Sequence, residues 1–378
     1  MAGIYIHIPF CKKACFYCDF HFSTSPVYKD QMVKALRNEL VLRKGYTGSD
    51  EIQTIYFGGG TPSVLSADEL GILIHVITEY YPVSASAEIT LEANPDDLSP
   101  QKVKELRQIP VNRFSIGVQS FYEEDLKWMN RAHTATEAHS SIKRVQDAGF
   151  ENITADLIYG YPLLSDEKWE SNIHQLIELA IPHISSYSMT VEPATALASF
   201  IMKGTQKPMN EAQSARQFGI LMDELDGAGF EHYEISNFAK PGWQSKHNSN
   251  YWEGINYLGI GPSAHSFDGE SRQWNVSNNM KYINALEGNK IPFEIEHLTE
   301  ENRINEYIMT ALRTSKGMDL GLISQRFHSD YSSQILQSLE PFLEKEWATI
   351  SDQKVILTKE GKLFADHIAS ELFVEFTS

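Results

Sequence analysis

Short apolar, β-branched runs alternate with amphipathic stretches from the N-terminus to about residue 190. Runs of this kind predict strands, and apolar residues spaced three or four apart predict helices between them. The candidate strands are residues 3–8, 54–57, 87–92, 113–118, 152–158 and 183–189. Strands that alternate with helices are typical of β/α units around a parallel sheet, so the predicted fold class is α/β.

Two of the predicted helices begin at a capping box. Ser66 precedes Glu69 by three residues, and Thr134 precedes Glu137 in the same way. In such a pair the hydroxyl accepts a hydrogen bond from the third residue's N–H, while the carboxylate returns to the cap. We expect the second of these helices to end at Gly149.

Polar or glycine residues follow the apolar runs of the candidate strands. They are Cys11, Gly58, Gly60, Thr61, Glu92, Asn94, Gln119, Ser120 and Asp156. In β/α barrels the carboxyl ends of the strands and the loops after them build the active site. The sequence therefore predicts a partial (β/α)6, TIM-like barrel with a single site at its mouth. A doubly wound open sheet is the alternative, because a sequence does not reveal strand order.

The pattern changes after about residue 210. A long helix is predicted over 210–229, and an aromatic, glycine-rich segment follows that is too aromatic for a solvated linker. The C-terminal part predicts helices at 302–313, 320–327, 333–345 and 359–373, with a hairpin at 348–357. This is a winged-helix-like outline. The predicted domains are a barrel over 1–232, the aromatic segment over 233–298 and a C-terminal domain over 299–378.

Composition limits the classes of function. The net charge of −18 and pI near 5.2 argue against a broad contact with nucleic acid or an anionic membrane. The three cysteines cannot form a disulfide framework, so we expect a cytoplasmic protein. No apolar run is long enough for a transmembrane helix, and the short N-terminus does not resemble a signal peptide.

All three cysteines, Cys11, Cys15 and Cys18, lie in one C-x3-C-x2-C stretch after the first candidate strand. Three thiolates can hold three corners of a cubane iron–sulfur cluster and leave the fourth iron open to a ligand that is not protein. A zinc knuckle is the alternative, with His7 or His21 as the fourth ligand.

The cysteine stretch, with Tyr17 directly before its last cysteine, resembles the signature of the radical S-adenosylmethionine (SAM) superfamily. The second strand ends in YFGGGTPS, which resembles that superfamily's glycine motif. Together with YIHIPFC, EANPDD, FSIGVQSF, DLIYG and GIGPSAHS, these motifs resemble the oxygen-independent coproporphyrinogen III oxidase family over nearly the whole chain.

This resemblance implies a four-iron, four-sulfur (4Fe–4S) cluster on the three cysteines and SAM bound to its open iron. The implied SAM contacts are Tyr5, Tyr17, Gly59, Gly60, Thr61, Glu92, Gln119, Arg131 and Asp156. The residue types suit these roles. Arg131 can pair with the SAM carboxylate, and glycines allow the backbone to approach the methionyl group closely.

The chain departs from the oxidases at Phe20, where they carry a further cysteine, and it begins without their N-terminal extension. It resembles instead the haem-chaperone branch of the family, which carries H-N-x-x-Y-W. The matching residues are His247, Asn248, Tyr251 and Trp252. Imidazole is a common axial ligand of haem iron, whereas a buried histidine among core aromatics is the alternative reading. His265, in GIGPSAHS, is a weaker candidate.

The sequence thus predicts a haem chaperone that holds a SAM-liganded cluster and delivers haem to recipient proteins, with respiratory proteins as candidates. Transient contact with membrane proteins and a homodimer are further expectations. A radical SAM enzyme that decarboxylates coproporphyrinogen is the alternative, and a zinc-stabilised binding protein is a third. The alternatives differ in their metal and in whether a substrate is turned over.

Overall fold

The computed structural model describes residues 1–327 and 331–375; residues 328–330 and 376–378 of the predicted C-terminal domain lie outside this description. The strands are β1 Ala2–Ile8, β2 Ile52–Gly59, β3 Val83–Ala93, β4 Arg113–Gln119, β5 Ile153–Tyr159, β6 His183–Ser188, β7 Glu231–Glu234, β8 Asn237–Ala239, β9 Tyr257–Ile260, β10 His265–Phe267, β11 Ser271–Asn275, β12 Phe293–His297, β13 Met318–Asp319, β14 Ala348–Ser351 and β15 Lys354–Leu357.

The helices are α1 Lys29–Leu42, α2 Ala67–Tyr80, α3 Pro100–Leu106, α4 Glu123–Trp128, α5 Ala135–Asp147, α6 Asp166–Glu178, α7 Ala196–Met202, α8 Glu211–Gly227, α9 Lys246–Trp252, α10 Asn279–Glu287, α11 Glu300–Leu312, α12 Leu320–Arg326, α13 Tyr331–Glu344 and α14 Ala365–Glu371. Short 3₁₀ turns lie at Pro62–Val64, Pro95–Asp97 and Gly361–Phe364.

Strands β1 to β6 lie side by side in chain order, and every neighbouring pair is parallel. A doubly wound sheet would reverse its order at a switch point, and this order contains no reversal. The predicted partial barrel is therefore confirmed, and all six predicted strands are present within a few residues of their expected ends.

The aromatic segment extends the same sheet on both flanks. Strand β9 pairs in parallel with β1 and is followed by β10, β11 and β12. On the other flank β8 pairs with β6, and β7 pairs with β8, both in antiparallel fashion. In the described part of the chain this produces one 12-stranded sheet whose outermost strands are β12 and β7. The strands of the aromatic segment (residues 233–298) therefore extend the sheet of the barrel.

The alternation of side chains along β1 separates the core from the site. Ile4, Ile6 and Ile8 have no exposed surface and belong to the main hydrophobic core. Tyr5 and His7 point to the opposite face, because successive strand residues alternate between faces. One strand thus anchors the helical layer and supplies side chains to the barrel interior.

Both predicted capping boxes are present. The Ser66 hydroxyl accepts from the Glu69 N–H at the start of α2, and Thr134 caps α5 in the same way. Gly149, with φ of +83°, follows the end of α5 as predicted. These local signals set where two of the barrel helices begin and end.

The C-terminal domain has its own hydrophobic core, which includes Ile304, Ile308, Leu339 and Val355. Its helices and hairpin follow the predicted winged-helix outline, and β13, β15 and β14 form a small antiparallel sheet. Among the described helices, none combines the length and the apolar character needed to span a bilayer.

Candidate functional site

The three cysteines lie in a loop that leaves β1 at the mouth of the barrel. Hydrogen bonds between Cys11 N–H and Ser23 C=O (3.0 Å) and between Ser23 N–H and Pro9 C=O (2.9 Å) close the base of this loop. All three thiols are partly exposed. They face a cavity of about 440 Å³, which we call the inner cavity. Burial raises the pKa of Cys11 and of Cys18 to about 11.

Side chains from neighbouring strand ends contact two of the sulfurs. The Thr61 hydroxyl donates to Cys11 Sγ at 3.3 Å and accepts from Asn94 Nδ2 at 3.3 Å. Arg131 Nη1 donates to Cys15 Sγ and to the Tyr17 hydroxyl, both at 3.3 Å. Such donors stabilise thiolate charge and tune the properties of a cluster bound there.

Arg131 is held from a second side as well. Its Nη2 donates to Asn94 Oδ1 and to Gly117 C=O, both at 2.8 Å. Arg131 Nε is buried without a hydrogen-bond partner among the described residues. An unpaired buried donor is costly unless another group satisfies it, so this edge of the guanidinium offers a contact to an anionic ligand.

Most of the predicted SAM residues line the inner cavity together with the cysteines. They are Tyr17, Gly59, Gly60, Thr61, Glu92, Gln119, Arg131 and Asp156. Gln119 has φ of +65°, a backbone conformation that is strained for a residue with a side chain. Tyr5 differs from the rest, since it lines a neighbouring cavity instead.

The glycines after β2 are required by the protein's own packing. Gly59 has φ of +104°, and a Cβ there would lie 2.5 Å from the His7 ring. A Cβ at Gly60 would lie within 2.9 Å of Ile8 and Phe10 backbone atoms. The sequence predicts these glycines from close approach to a ligand, but the end of β1 and Phe10 just beyond it already leave no room for a side chain.

Two buried carboxyl groups face the inner cavity. Burial raises the pKa of Glu92 to about 7, and its Oε1 accepts from the Tyr56 hydroxyl at 2.8 Å. Burial likewise raises the pKa of Asp156 to about 6, and Ser115 donates to it at 3.3 Å. Near neutral pH, Glu92 is therefore divided between its protonated and ionised forms, and it can donate or accept a ligand hydrogen bond.

Several lining residues were not among the predicted contacts. Asn94 bridges Thr61 and Arg131, and Ser185 and Tyr187 come from the end of β6. All three follow the rule that strand C-terminal ends face the site. Applying that rule to the sixth strand, as to the others, would have found Ser185 and Tyr187.

A second cavity of about 710 Å³, the outer cavity, opens beside the inner one and shares Asp19, Phe20, Phe22, Gly59 and Glu92 with it. Its remaining lining consists of Tyr5, His7, His21, Tyr251, Tyr257, Ser263, His265 and Ser277. The Phe20 side chain is 67% exposed. Phe20 thus presents an aromatic ring to solvent at the boundary of the two cavities.

His247 lies outside both cavities. Its side chain is 2% exposed, with Nδ1 2.8 Å from the Thr54 hydroxyl and Nε2 3.0 Å from the Tyr251 hydroxyl. Its ring stacks on Tyr56 at 4.8 Å. Burial lowers the pKa of His247 to about 3. Both ring nitrogens are thus occupied by protein groups.

The other residues of H-N-x-x-Y-W point in different directions. Tyr251 lines the outer cavity, and Asn248 lines the inner one. Arg313 directly follows the last residue of α11, and its guanidinium lies 5.3 Å from the Trp252 ring centroid. The structure therefore does not gather the four residues on one wall.

The zinc alternative gains no support from the geometry. His7 Nε2 lies 2.8 Å from the His21 carbonyl oxygen, and His21 Nε2 lies 2.8 Å from Asn279 Oδ1. Within residues 1–327 and 331–375, no three His, Cys, Asp or Glu side chains converge on a point where one metal ion could be held. A cubane cluster is larger than one ion and spreads its ligands further apart.

The class of protein follows from the fold and the cysteine loop together. A partial parallel barrel with C-x3-C-x2-C after β1 and a glycine motif after β2 is the arrangement of a radical SAM protein, and the family model described as the Radical SAM superfamily matches residues 5–176. A second family model, the HemN C-terminal domain, matches residues 298–364.

Curated relatives narrow the class. "Heme chaperone HemW" of Bacillus subtilis (strain 168) is 35% identical over 373 residues, covering 97% of this chain and 98% of the relative. The protein of the same name from Lactococcus lactis subsp. lactis (strain IL1403) is 33% identical, covering 98% of this chain and 97% of the relative. The chain belongs to the heme chaperone HemW family, which confirms the resemblance seen in its motifs.

The fold is also similar to that of a solved structure, coproporphyrinogen III oxidase (HemN) from Escherichia coli, described as a radical SAM enzyme. The TM-score is 0.86 at 23% sequence identity, and the match covers 98% of this chain and 90% of the other. This likeness agrees with the barrel and the small C-terminal domain described above.

Proposed function

We propose that this protein is a haem chaperone that carries a SAM-liganded 4Fe–4S cluster, binds haem and delivers it to recipient haem proteins in the cytoplasm. The observation that carries the proposal is full-length similarity, at 33–35% identity, to proteins named heme chaperone HemW. The outer cavity supports it physically, because it offers a large space with aromatic walls directly beside the cysteine loop.

Cys11, Cys15 and Cys18 are the proposed cluster ligands. The bound cluster supplies one open iron to chelate the amino and carboxylate groups of SAM. Arg131, with an unpaired Nε, is the proposed partner of the SAM carboxylate. Glu92 and Asp156 are the proposed acceptors from its amino or hydroxyl groups. Tyr5, Tyr17, Gly59, Gly60, Thr61 and Gln119 complete the proposed SAM set.

Delivery of haem requires a recipient, and respiratory haem proteins, including membrane-bound ones, are the proposed class. A homodimer is a further part of the proposal. Decarboxylation of coproporphyrinogen is not favoured, because the residue two positions after Cys18 is Phe20 and the full-length relatives carry the chaperone name.

The test is a haem titration of the anaerobically purified, cluster-reconstituted protein. We expect saturable uptake with a Soret band and transfer of the bound haem to an apo-haem protein on mixing. Iron and sulfide analysis of the same sample should give a 4Fe–4S cluster rather than zinc. Absence of haem uptake, or vinyl product from coproporphyrinogen III with SAM and reductant, would overturn the proposal.

The sequence also predicts His247 as the axial ligand, with Asn248, Tyr251 and Trp252 around the haem. This assignment remains a prediction. For His247 to bind iron, the imidazole would have to release the Tyr251 hydroxyl and leave its buried position beside Thr54. Replacement of His247 by alanine in the same titration tests it.

A further inference from the structure

We propose that haem binds in the outer cavity with the His265 imidazole as an axial ligand of its iron, and that His247 acts only by positioning Tyr251 in the wall of this cavity. This inference rests on the proposed haem-binding function and deepens it by naming the site. It differs from the sequence-based prediction, which placed the iron on His247.

His265 differs from the other histidines around this cavity in that both of its ring nitrogens are available to a ligand. His7 is held at both nitrogens, by the Tyr5 hydroxyl at 3.3 Å and the His21 carbonyl at 2.8 Å. His21 is half-buried, and its Nε2 is bonded to Asn279 Oδ1 at 2.8 Å, so one of its two ring nitrogens is occupied. The His265 side chain is exposed and lines the cavity, and neither of its ring nitrogens has a hydrogen-bond partner among the described residues.

The backbone holds His265 at the rim of the cavity. His265 begins β10 and pairs with Trp274 of β11. The preceding turn contains Ser263 at φ of +64°, a strained conformation for a residue with a side chain. Buried Glu39 accepts from the Gly261 N–H at 2.9 Å and ties this turn to α1. A strained turn anchored in this way fixes the direction from which His265 approaches the cavity.

The walls fit a flat apolar macrocycle. Phe20, Tyr251 and Tyr257 contribute aromatic surface, and the rings of Tyr251 and Tyr257 meet edge to face at 4.7 Å. The volume of about 710 Å³ lies within the range, roughly 300–1,000 Å³, of small-molecule sites. Asp19 and Glu92 line the side shared with the inner cavity, so the haem propionates should face away from them toward solvent.

His247 does not line this cavity; its hydrogen bond to the cavity wall is to Tyr251, and its ring also stacks on that of Tyr5 at a centroid distance of 6.4 Å. The hydrogen bond of 3.0 Å between His247 Nε2 and the Tyr251 hydroxyl orients the tyrosine ring, whose edge contacts the imidazole at a centroid distance of 5.0 Å. Loss of His247 should therefore weaken haem binding through a loosened wall and leave the iron ligand unchanged. A variant of a positioning residue should therefore keep the spectrum of the imidazole-ligated iron, whereas a variant of the iron ligand should lose it.

The experiment titrates ferric haem into the full-length, cluster-reconstituted protein under anaerobic conditions. The variants are His265→Ala, His247→Ala and, as a matched control, His75→Ala on the exposed surface of α2. Absorption and EPR spectra report the iron ligand, and the titration reports affinity. We expect His265→Ala to lose the imidazole-ligated spectrum, to bind haem about tenfold or more weakly, and to recover with added imidazole.

We expect His247→Ala to retain the imidazole-ligated spectrum with reduced affinity, and His75→Ala to behave like the unmodified protein. His265→Met, which exchanges one ligand for another, should shift the spectrum and shows the ligand's identity if the alanine variant folds poorly. A wild-type spectrum and affinity in both His265 variants would overturn the inference, as would loss of imidazole ligation in His247→Ala alone. Failure of the unmodified protein to bind haem would instead overturn the proposed function.

Discussion

Gly59 shows how one residue joins the strand layer to the cysteine loop. Its positive φ and the position of the His7 ring together exclude a side chain. His7 in turn bonds the His21 carbonyl at the far end of the loop. The backbone at Gly59 therefore helps to hold the loop in place before any ligand is bound.

We predict that Gly59→Ala lowers the free energy of unfolding by about 2–4 kcal/mol, because the new methyl group meets the His7 ring and the backbone conformation is strained. The measurement is chemical denaturation of the apo-protein under reducing conditions. Gly45→Ala is the control, since no atom lies within 4 Å of its new Cβ, and it should change the value by less than about 0.5 kcal/mol. Equal stabilities of the two variants would contradict the prediction.

At this scale, sequence motifs located the residues of the inner cavity, whereas the orientation of the His247 ring could not be read from its motif. The predicted SAM residues other than Tyr5 line one cavity, because strand ends and short loops place them there. The side-chain direction of His247 depends on the seating of α9 against β2, with Thr54 and Tyr56 as its neighbours. Such tertiary contacts leave no local pattern in a sequence, so a six-residue motif could not show that the ring is buried.

The elements on the flank of the barrel are linked by one buried carboxylate. Glu39 of α1 accepts from Gly261 N–H, from Asn275 Nδ2 at 2.7 Å and from the Tyr282 hydroxyl, and it lies 3.4 Å from the Arg43 guanidinium. It thereby connects α1 to β9, β11 and α10. Because the Glu39 side chain is fully buried, no solvent water is in contact with its partners to accept their hydrogen bonds if the carboxylate is removed.

We predict that Glu39→Ala destabilises the fold by roughly 3–5 kcal/mol, since it removes the buried counter-charge of Arg43 and the acceptor that the Gly261 N–H and the Tyr282 hydroxyl use. Thermal unfolding of the apo-protein measures the loss. Glu79→Ala, on the exposed end of α2, is the control and should shift the midpoint by at most a degree or two. An unchanged midpoint in Glu39→Ala would show that the carboxylate network does not hold these elements together.

Element prediction succeeded where the chain carries regular periodicity and failed where it does not. The six parallel strands are apolar runs bounded by helices, and the capping boxes begin their helices as expected. Strands β7 to β12 are only three to five residues long, too short for an alternating pattern to stand out. Their pairing with β1 and β6 depends on contacts far apart in sequence, which explains why the aromatic segment looked separate.

At the scale of the whole molecule, the C-terminal domain rests on the barrel through a small set of contacts. Arg313 C=O accepts from Ile235 N–H at 3.0 Å, and its guanidinium lies over Trp252 and beside Glu234. Lys316 pairs with Glu253. Trp252, predicted from the motif to contact haem, belongs to this contact between domains in the structure.

We predict that Trp252→Ala loosens the C-terminal domain and leaves haem affinity within about twofold, because it removes a cation–π contact of roughly 0.5–2 kcal/mol without touching either cavity. Hydrogen exchange should become faster in α11 and remain unchanged in β1 to β6. Arg313→Lys, which weakens the same contact from the other side, should have a similar effect. A large loss of haem affinity in Trp252→Ala would place the ring at the haem.

Five interior histidines have lowered pKa values, so the stability of the whole fold should depend on pH. Burial lowers the pKa of His7 and His133 to about 4, that of His232 and His247 to about 3, and that of His183 well below its usual value. The unfolded chain binds these protons near pH 6.5, whereas the folded chain does not. The stabilising difference is therefore fully present above pH 6.5 and is lost as the pH falls toward the folded-state pKa values.

We predict that the apo-protein loses unfolding free energy between pH 7 and pH 5, by up to about 2 kcal/mol for each buried imidazole. Denaturation at several pH values measures the slope. His133→Gln removes one titrating ring and keeps a donor for the Val118 carbonyl, so it should flatten the curve. A stability that does not change over this range would refute the prediction.

The sheet in the described part of the chain ends at β12 and β7 and does not close on itself. Separately from these edges, the outer cavity lies beside β1 and the turn after β9, and the exposed side chain of His265 is part of its lining. For haem bound there as proposed, departure would need no slow opening of the protein, and the residence time should be set by the strength of the iron–imidazole bond. In kinetic terms, transfer of this haem to a recipient protein would be a ligand exchange at an accessible iron. A recipient that offers a stronger axial ligand than imidazole would then remove the haem faster.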